Sequence, residues 1–370
     1  MEKRLIEICT PKQWKTIATK DLLEDGYPVY GANGQIGFYD KYTHEEATLM
    51  ITCRGATCGS LNISRPYSYI NGNAMALDNL DENIDLKYLY YFLKSRGLLD
   101  TISGSAQPQI TRNSLAKVIV RYPEKNLQLK IVRILDKVQE LIDKRKEQIE
   151  ELDLLVKSKF IEMFGDPYLN PKRWAKKELK EIMLLANNGL SRRGNDLDGN
   201  IVLRLVELQD GYLDYTSVNR IKLTESEEKR YLLKDGDFLF ARVNGNPDNV
   251  GRCAYYQEIG EKVFHNDHII RVRFDNTLIN NCFVSTMLNS GYGKLQMKDK
   301  LKTSAGQYTV NQTGISEIKV VVPPIELQNK FEDFVKQIDK LKFEMEKSLK
   351  ELEDNFNSLM QKAFRGELFK

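Results

Sequence analysis

Apolar residues recur at alternating intervals of four and three along two long stretches of this chain. In the first they fall at Ile131, Leu135, Val138, Ile142, Ile149, Leu152, Val156 and Met163. In the second they fall at Phe331, Val335, Ile338, Met345, Leu349, Leu352, Phe356, Leu359 and Ala363. This is a heptad stripe, interrupted at Arg145, Lys159 and Lys342. Neither Pro nor Gly occurs between Leu127 and Phe164, or between Leu327 and Phe364. Each stretch therefore predicts a helix of 38 residues, roughly 57 Å long. So narrow a stripe cannot be buried along its length on a compact domain and needs a partner helix. Each stretch is the natural partner of the other, and an antiparallel pair would put the intervening domains at opposite ends. The alternative is two separate helices, each docked on its own domain or on another chain.

The two stretches belong to an internal repeat at a constant offset of 200 residues. Residues 107–164 align with 307–364 without a gap, and 11 of the 58 positions are identical, where composition alone would give about 4. Gln107/Gln307, Pro123/Pro323, Leu127/Leu327, Gln128/Gln328, Leu141/Leu341, Leu152/Leu352 and Phe164/Phe364 are among them. Ahead of each helix stands a short apolar run closed by proline, KVIVRYP at 117–123 and IKVVVPP at 318–324. Beta-branched residues stopped by Pro predict a strand and its end.

The remaining segments share an order of features rather than identity. Both open with Leu-x-Glu-Ile (5–8 and 179–182). Both carry a buried-type strand leading into a glycine turn, TLMITCRGATCGSLNI (48–63) and DFLFARVNGNPDNVGRCAYY (237–256). Both then reach an apolar strand beside Asn, INGNAMAL (70–77) and FHNDHIIRV (264–272), a short helix (86–95 and 281–290), and a Gly/Gln segment (103–112 and 303–312). The predicted fold class is α+β: two α/β domains separated by two long helices that pair as an antiparallel coiled coil. The expected boundaries are 1–123, a spacer helix at 124–166, a second domain at 167–324 and a second spacer helix at 325–370.

Composition narrows the picture. With 41% hydrophobic residues the chain can build cores, and 29% charged residues suit long solvated helices. A net charge of +3 means that any nucleic-acid partner must be met by local basic faces. Between Lys94 and Arg121, five cations (Lys94, Arg96, Arg112, Lys117, Arg121) face Asp100 alone. The five cysteines (Cys9, Cys53, Cys58, Cys253, Cys282) are odd in number and form no CxxC. That argues against a disulfide framework or structural zinc and suits a reducing cytoplasm. No signal peptide and no membrane helix is expected.

The turn-rich segments carry chemistry that suits DNA. Asn and Gln can bond adenine edges bidentately and Arg can do so with guanine, while glycine turns let backbone N–H groups approach phosphate. The candidate DNA-binding residues in the first domain are Asn33 and Gln35 in GANGQIGFYDKY, Arg54, Thr57, Gln107, Gln109 and Arg112. In the second they are Arg192, Arg193, Arg242, Asn244, Asn246, Gln307, Tyr308 and Asn311. The candidate helix-pairing residues are those of the two stripes from Ile131 to Val156 and from Phe331 to Phe356.

The segments YPVYGANGQIGFYD (27–40), ITCRGATCGS (51–60), GSAQPQIT (104–111), NDHI (266–269) and VVVPPIELQNKF (320–331) occur in an order that resembles the specificity subunit of type I restriction-modification systems. The resemblance covers almost the whole chain. It implies that each domain reads one half of a split DNA site. It implies that the helices set the gap and dock two methyltransferase subunits, which bind S-adenosylmethionine and methylate adenine at N6. Restriction/translocase subunits using ATP and Mg would complete the complex. The resemblance therefore implies no catalytic residue, cofactor or metal in this chain, and no membrane partner. The second glycine turn is longer, NGNPDNVG against RGATCG, so the two half-sites should differ.

Enzyme readings find little support. The sole Pro-Pro, Pro323-Pro324, lacks the acid or amide before it and the aromatic after it that an adenine methyltransferase uses. The glycines at 31, 34 and 37 do not make GxGxxG, and no Walker lysine is present. Asp166 with Glu178-x-Lys180 imitates a nuclease triad by spacing alone. Cys253, His265, His268 and Cys282 could be drawn as a zinc set, but the spacing is unusual and the two His are expected on opposite faces of one strand. The competing functions are a coiled-coil scaffold without DNA recognition and a fused methyltransferase or nuclease.

Overall fold

The structure is a computed structural model that describes residues 1–104, 107–304 and 306–369. Ser105 and Ala106 of the first Gly/Gln segment, and Ala305 of the second, lie outside the described residues. The chain divides into two compact units, residues 1–147 with 345–370, and residues 148–344.

In unit 1 a four-stranded antiparallel sheet runs in the order Thr10–Gln13, Ala74–Asp78, Leu49–Thr52, Leu61–Ile63. Its central strand Leu49–Thr52 is buried throughout, as a continuous apolar run predicts. A three-stranded sheet pairs the hairpin Tyr27–Gly31/Gly34–Tyr39 with Tyr69–Ile70, the last strand parallel to the first. The hairpin turns on Ala32-Asn33, and Gly34 follows at φ +100°, a backbone state open to glycine. Glu2–Arg4 pairs with Ile119–Arg121.

Unit 2 repeats this plan. The four-stranded order is Met183–Asn188, Ile269–Phe274, Phe238–Ala241, Cys253–Tyr255. The three-stranded sheet joins Arg220–Ile221, Asn200–Leu203 and the parallel strand Val263–His265. Ala175–Glu178 pairs with Lys319–Val322. One sheet is added: Val243–Asn244, Gln307–Thr309 and Lys302–Ser304. Among the described residues, its counterpart in unit 1 consists of single bridges, Arg54↔Gln109 and Ser103↔Gln109.

The repeat at offset 200 has a physical cause in each unit. Gln128 and Gln328 are fully buried. Gln128 Nε2 donates to the carbonyls of Pro123 and Asn83, both at 2.9 Å, and its Oε1 accepts from Asp85 N–H at 2.9 Å. Gln328 donates to Pro323 at 2.7 Å and Leu278 at 3.3 Å, and accepts from Asn280 N–H at 2.9 Å. Asp85 and Asn280 cap the short helices Leu86–Arg96 and Asn281–Asn289. One glutamine thus ties the strand's proline stop and a domain helix to the start of each long helix. Such a buried amide is kept only with its partners satisfied.

The long helices are Lys125–Phe164 and Ile325–Phe364, each of 40 residues. Gly165 (φ +78°) and Gly366 (φ +72°) follow them in the left-handed state common at helix ends. In unit 2 the helices run antiparallel: Asp153 meets Lys342 at 2.7 Å, and Phe160 meets Phe331 with ring centroids 5.5 Å apart. In unit 1, Lys146 pairs with Glu353 at 2.8 Å. The proposed seam residues Ile131, Leu135, Ile142, Leu152, Phe331, Ile338 and Phe356 are buried, and Val138, Ile149, Val156, Val335, Met345, Leu349 and Leu352 half-buried. Lys342, which breaks the stripe, is used by Asp153, and Lys159 pairs with Glu162 at 2.8 Å. Each helix end docks on the folded domain of the unit it enters. Phe364 packs edge-on against Tyr88 and Phe92 in unit 1, and Phe164 against Phe283 and Phe331 in unit 2.

Candidate nucleic-acid interface

In unit 1 three loops far apart in sequence meet at one end of the sheets. The strand Leu49–Thr52 runs into the turn 53–60, and Ile110 N–H donates to Cys53 O at 3.0 Å while Gly55 N–H donates to Pro108 O at 3.2 Å. Thr57 Oγ1 donates to Asn33 Oδ1 at 2.6 Å, and Thr52 Oγ1 donates to the Ala32 carbonyl. These bonds bring Asn33, Arg54, Thr57, Gln107 and Gln109 to one edge, all exposed. The Arg54, Gln107 and Gln109 side chains make no hydrogen bond or ion pair among the described residues, so their donors face solvent. Arg112, exposed, begins the short helix Arg112–Leu115 capped by Thr111. Gln35 is exposed one strand over, opposite Tyr30.

In unit 2 the added sheet takes the same place. Asn244 pairs with Tyr308 and Val243 with Thr309; Gln307, exposed, begins the central strand Gln307–Thr309. Arg242 N–H donates to His268 O at 2.8 Å, and its guanidinium donates to Asp267 O at 3.1 Å. Arg193 pairs with Asp267 at 2.8 Å. Asn246 and Asn311 spend their side-chain oxygens as caps, accepting from Asp248 N–H at 3.0 Å and Gly314 N–H at 2.8 Å. Both keep their amide N–H groups.

Internal ion pairs already engage several of the candidate cations. Arg192 has partners of its own. It makes a two-point pair with Glu227, at 3.2 and 3.0 Å, and donates to Lys222 O at 2.7 Å. The Arg192 guanidinium holds the Glu227 carboxyl down to about 2, and the Thr224 backbone N–H adds to this. The cationic run from Lys94 to Arg121 is also thinner than its tally. Arg96 grips Asp100 at 2.9 and 2.6 Å, and Arg121 is paired with Glu2. Glu227 and Glu2 lie too far away in sequence to be counted locally. Among the described residues, the cations of this region without an ion pair are Lys94, which lies over the Tyr90 and Phe356 rings, Arg112, Lys117 and, across the turn, Arg54.

Other chemically suggestive groups resolve into structure. His265 lies in the strand Val263–His265, whereas His268 sits in the turn after it, so the two do not share a strand. Burial pushes the His265 imidazole down to about 3. Cys253 and Cys282 are buried in the unit 2 core, and burial raises both thiols, Cys282 to about 12. Asp166 accepts from the Tyr168 N–H at 2.7 Å, and Glu178 is tied to Lys180 at 2.5 Å. Among the described residues no cluster of His, Cys, Asp and Glu is arranged to hold a metal ion. No described helix is long and apolar enough to cross a membrane.

A family model for the type I restriction modification DNA specificity domain matches residues 1–153 and again 171–354. The chain belongs to this family. The two matches fall on the two halves that repeat one sheet plan, so the specificity domain occurs twice here. The type I restriction enzyme StySPI specificity subunit of Salmonella potsdam is 29% identical over 335 residues, covering 85% of this chain and 68% of that protein. The EcoKI specificity subunit of Escherichia coli K12 is 28% identical over 199 residues, covering 52% of this chain and 43% of that one. The crystal structure of the type I restriction-modification S subunit from M. genitalium superposes with a TM-score of 0.61 at 18% identity, over 98% of this chain and 96% of that one. A second solved chain, from work on complex assembly and conformational transition of the type I restriction-modification system, gives 0.60 at 14% identity, over 100% and 98%. At these identities the two structures speak for the fold alone. The chain is thus a DNA sequence-specificity subunit.

Proposed function

We propose that this chain is the non-catalytic address of a type I complex, with each unit reading one half of a split DNA site and the long helices setting the gap. The observation that carries this reading is the doubled sheet plan with two chemically different loop edges. Donors free of internal partners (Arg54, Gln107, Gln109) suit base edges and phosphate in unit 1. Asn244, Tyr308, Gln307 and Arg242 offer a different set in unit 2. Two methyltransferase subunits dock on the helices. In support, Leu141 and Leu341 occupy the same repeat position and are 43% and 44% exposed, so each offers apolar surface outward. The same outward residue presented twice suits two copies of one partner. S-adenosylmethionine, and ATP with Mg, act on the partner chains. The gap between half-sites is shorter than one duplex turn, so that both domains approach one face of the DNA.

Genome-wide mapping of adenine methylation with and without the gene tests this. A split motif that disappears with the gene is expected; a continuous, ungapped motif contradicts the spacer role. A scaffold without DNA function predicts an unchanged methylation pattern.

A further inference from the structure

Where the two units share a backbone but differ in side chain, the difference is a candidate for specificity. One such position is fixed by hydrogen bonds. In unit 1, Asn71 N–H donates to Tyr30 O at 2.8 Å, Ala74 N–H to Asn71 O at 2.9 Å, and Cys53 N–H to Asn73 O at 3.2 Å. In unit 2, Asn266 N–H donates to Leu203 O at 2.9 Å, Ile269 N–H to Asn266 O at 3.0 Å, and Arg242 N–H to His268 O at 2.8 Å. Next to them, Ile110 N–H donates to Cys53 O at 3.0 Å and Val310 N–H to Arg242 O at 2.9 Å. The register agrees, since Thr52 pairs with Ala74 and Ala241 with Ile269. Asn73 and His268 therefore occupy the same corner of the two folds, each carbonyl bonded to the first residue of the glycine turn.

We propose that Asn73 and His268 are corresponding base-reading residues, one in each unit. This rests on the DNA-reading function above and adds two residues to it. Asn73 is exposed, and its amide makes no hydrogen bond among the described residues. It stands where the Arg54↔Gln109 bridge begins. A free carboxamide offers a donor and an acceptor together, the pattern that matches the N6/N7 edge of adenine. His268 differs. Its Nε2 lies 3.1 Å from an Arg193 guanidinium nitrogen. A guanidinium can only donate, so Nε2 accepts and Nδ1 carries the ring proton. His268 then presents a single donor, which suits an acceptor on a base such as guanine O6 or N7, or thymine O4. Arg193, anchored by Asp267 at 2.8 Å, orients the ring. Turn composition alone does not pair these two residues; the bonds to Cys53 and Arg242 align them.

The test uses the full chain co-expressed with its methyltransferase subunits in a host without adenine methylation, read by long-read sequencing. Asn73→Ala and His268→Ala are compared with the unaltered chain, with Asn73→Ser and His268→Gln as milder variants. Each Ala variant should relax one position in one half-site, with discrimination there falling roughly tenfold or more, and the two variants should relax opposite halves. Unchanged stringency, relaxation of the same half by both, or uniform loss of methylation without any relaxed position in all four variants overturns the proposal. An unaltered complex without a split motif would instead sink the underlying function.

Discussion

Unit 1 and unit 2 share their sheets, strand order and buried glutamine tie, yet part company at the edge beyond the central strand. Unit 1 closes that edge with a short turn, 53–60, and single bridges between Arg54, Gln109 and Ser103. Unit 2 closes it with an added three-stranded sheet, and its loops and short helices carry internal ion pairs, Arg193 to Asp267, Arg252 to Asp210 and Lys298 to Asp248. Scaffold positions are constrained by burial and by unpaired-group costs, so they stay alike in both copies. Edge positions are free of those constraints, and they diverge in length, charge and donor pattern.

The largest separation between the units should come from their cores. Phe331→Ala removes a ring packed edge-on against Phe160 and Phe164 in unit 2, and should cost roughly 3–5 kcal/mol by thermal or denaturant unfolding. Ile131→Ala, the same repeat position in unit 1, should cost roughly 2–4 kcal/mol. Equal and small losses would show that these residues are not fully packed.

Acid should separate the units next. His265 is buried and its pKa is held near 3, while the matching position in unit 1 is Ile70. The unfolded imidazole titrates near 6.5, so above that pH neither state takes up the proton and stability is unaffected. Below it the unfolded state binds a proton that the folded state refuses. Stability of unit 2 should therefore fall by roughly 1.4 kcal/mol per pH unit from about 6.5 toward 3. His265→Ile should flatten this loss in the full chain; an unchanged pH profile would contradict it. Glu227 acts in a lower window. With its folded pKa held down to about 2, its contribution is present above the usual carboxylate range and is lost as pH falls through about 2.

Smaller and symmetric is the glutamine tie. Gln128→Ala and Gln328→Ala each leave one N–H and two carbonyls without a side-chain partner, for roughly 2 kcal/mol apiece. A large inequality between them would break the equivalence of the units. Smallest of all is the contrast between arginines. Arg54→Ala should weaken DNA binding by the assembled complex and lower the salt slope by about 1 if it meets a phosphate. Arg192→Ala should leave binding unchanged, since Glu227 already holds that side chain. Equal effects of the two would refute the distinction between free and spent cations.

The helices were legible because a heptad stripe is local, and the repeat carried their register across 200 residues. Pro123 and Pro323 likewise marked the strand ends. The sites were less legible. Asn33, Arg54 and Gln109 could be named from turn chemistry, but their meeting at one edge depends on Thr57–Asn33 and Ile110–Cys53 bonds that no local pattern encodes. The partners of Arg192 and Arg121 lie 35 and 119 residues away, out of reach of a local charge tally. His268 was set on a strand with His265, since the tight turn at Asn266 breaks an otherwise continuous apolar run.

The central claim is that each unit reads its own half-site. Replacing residues 1–123 with the corresponding segment of a specificity chain of different target, followed by methylation mapping, tests it most directly. One half of the motif should change while the other half and the gap are retained. A change in both halves, or in neither, would contradict the account.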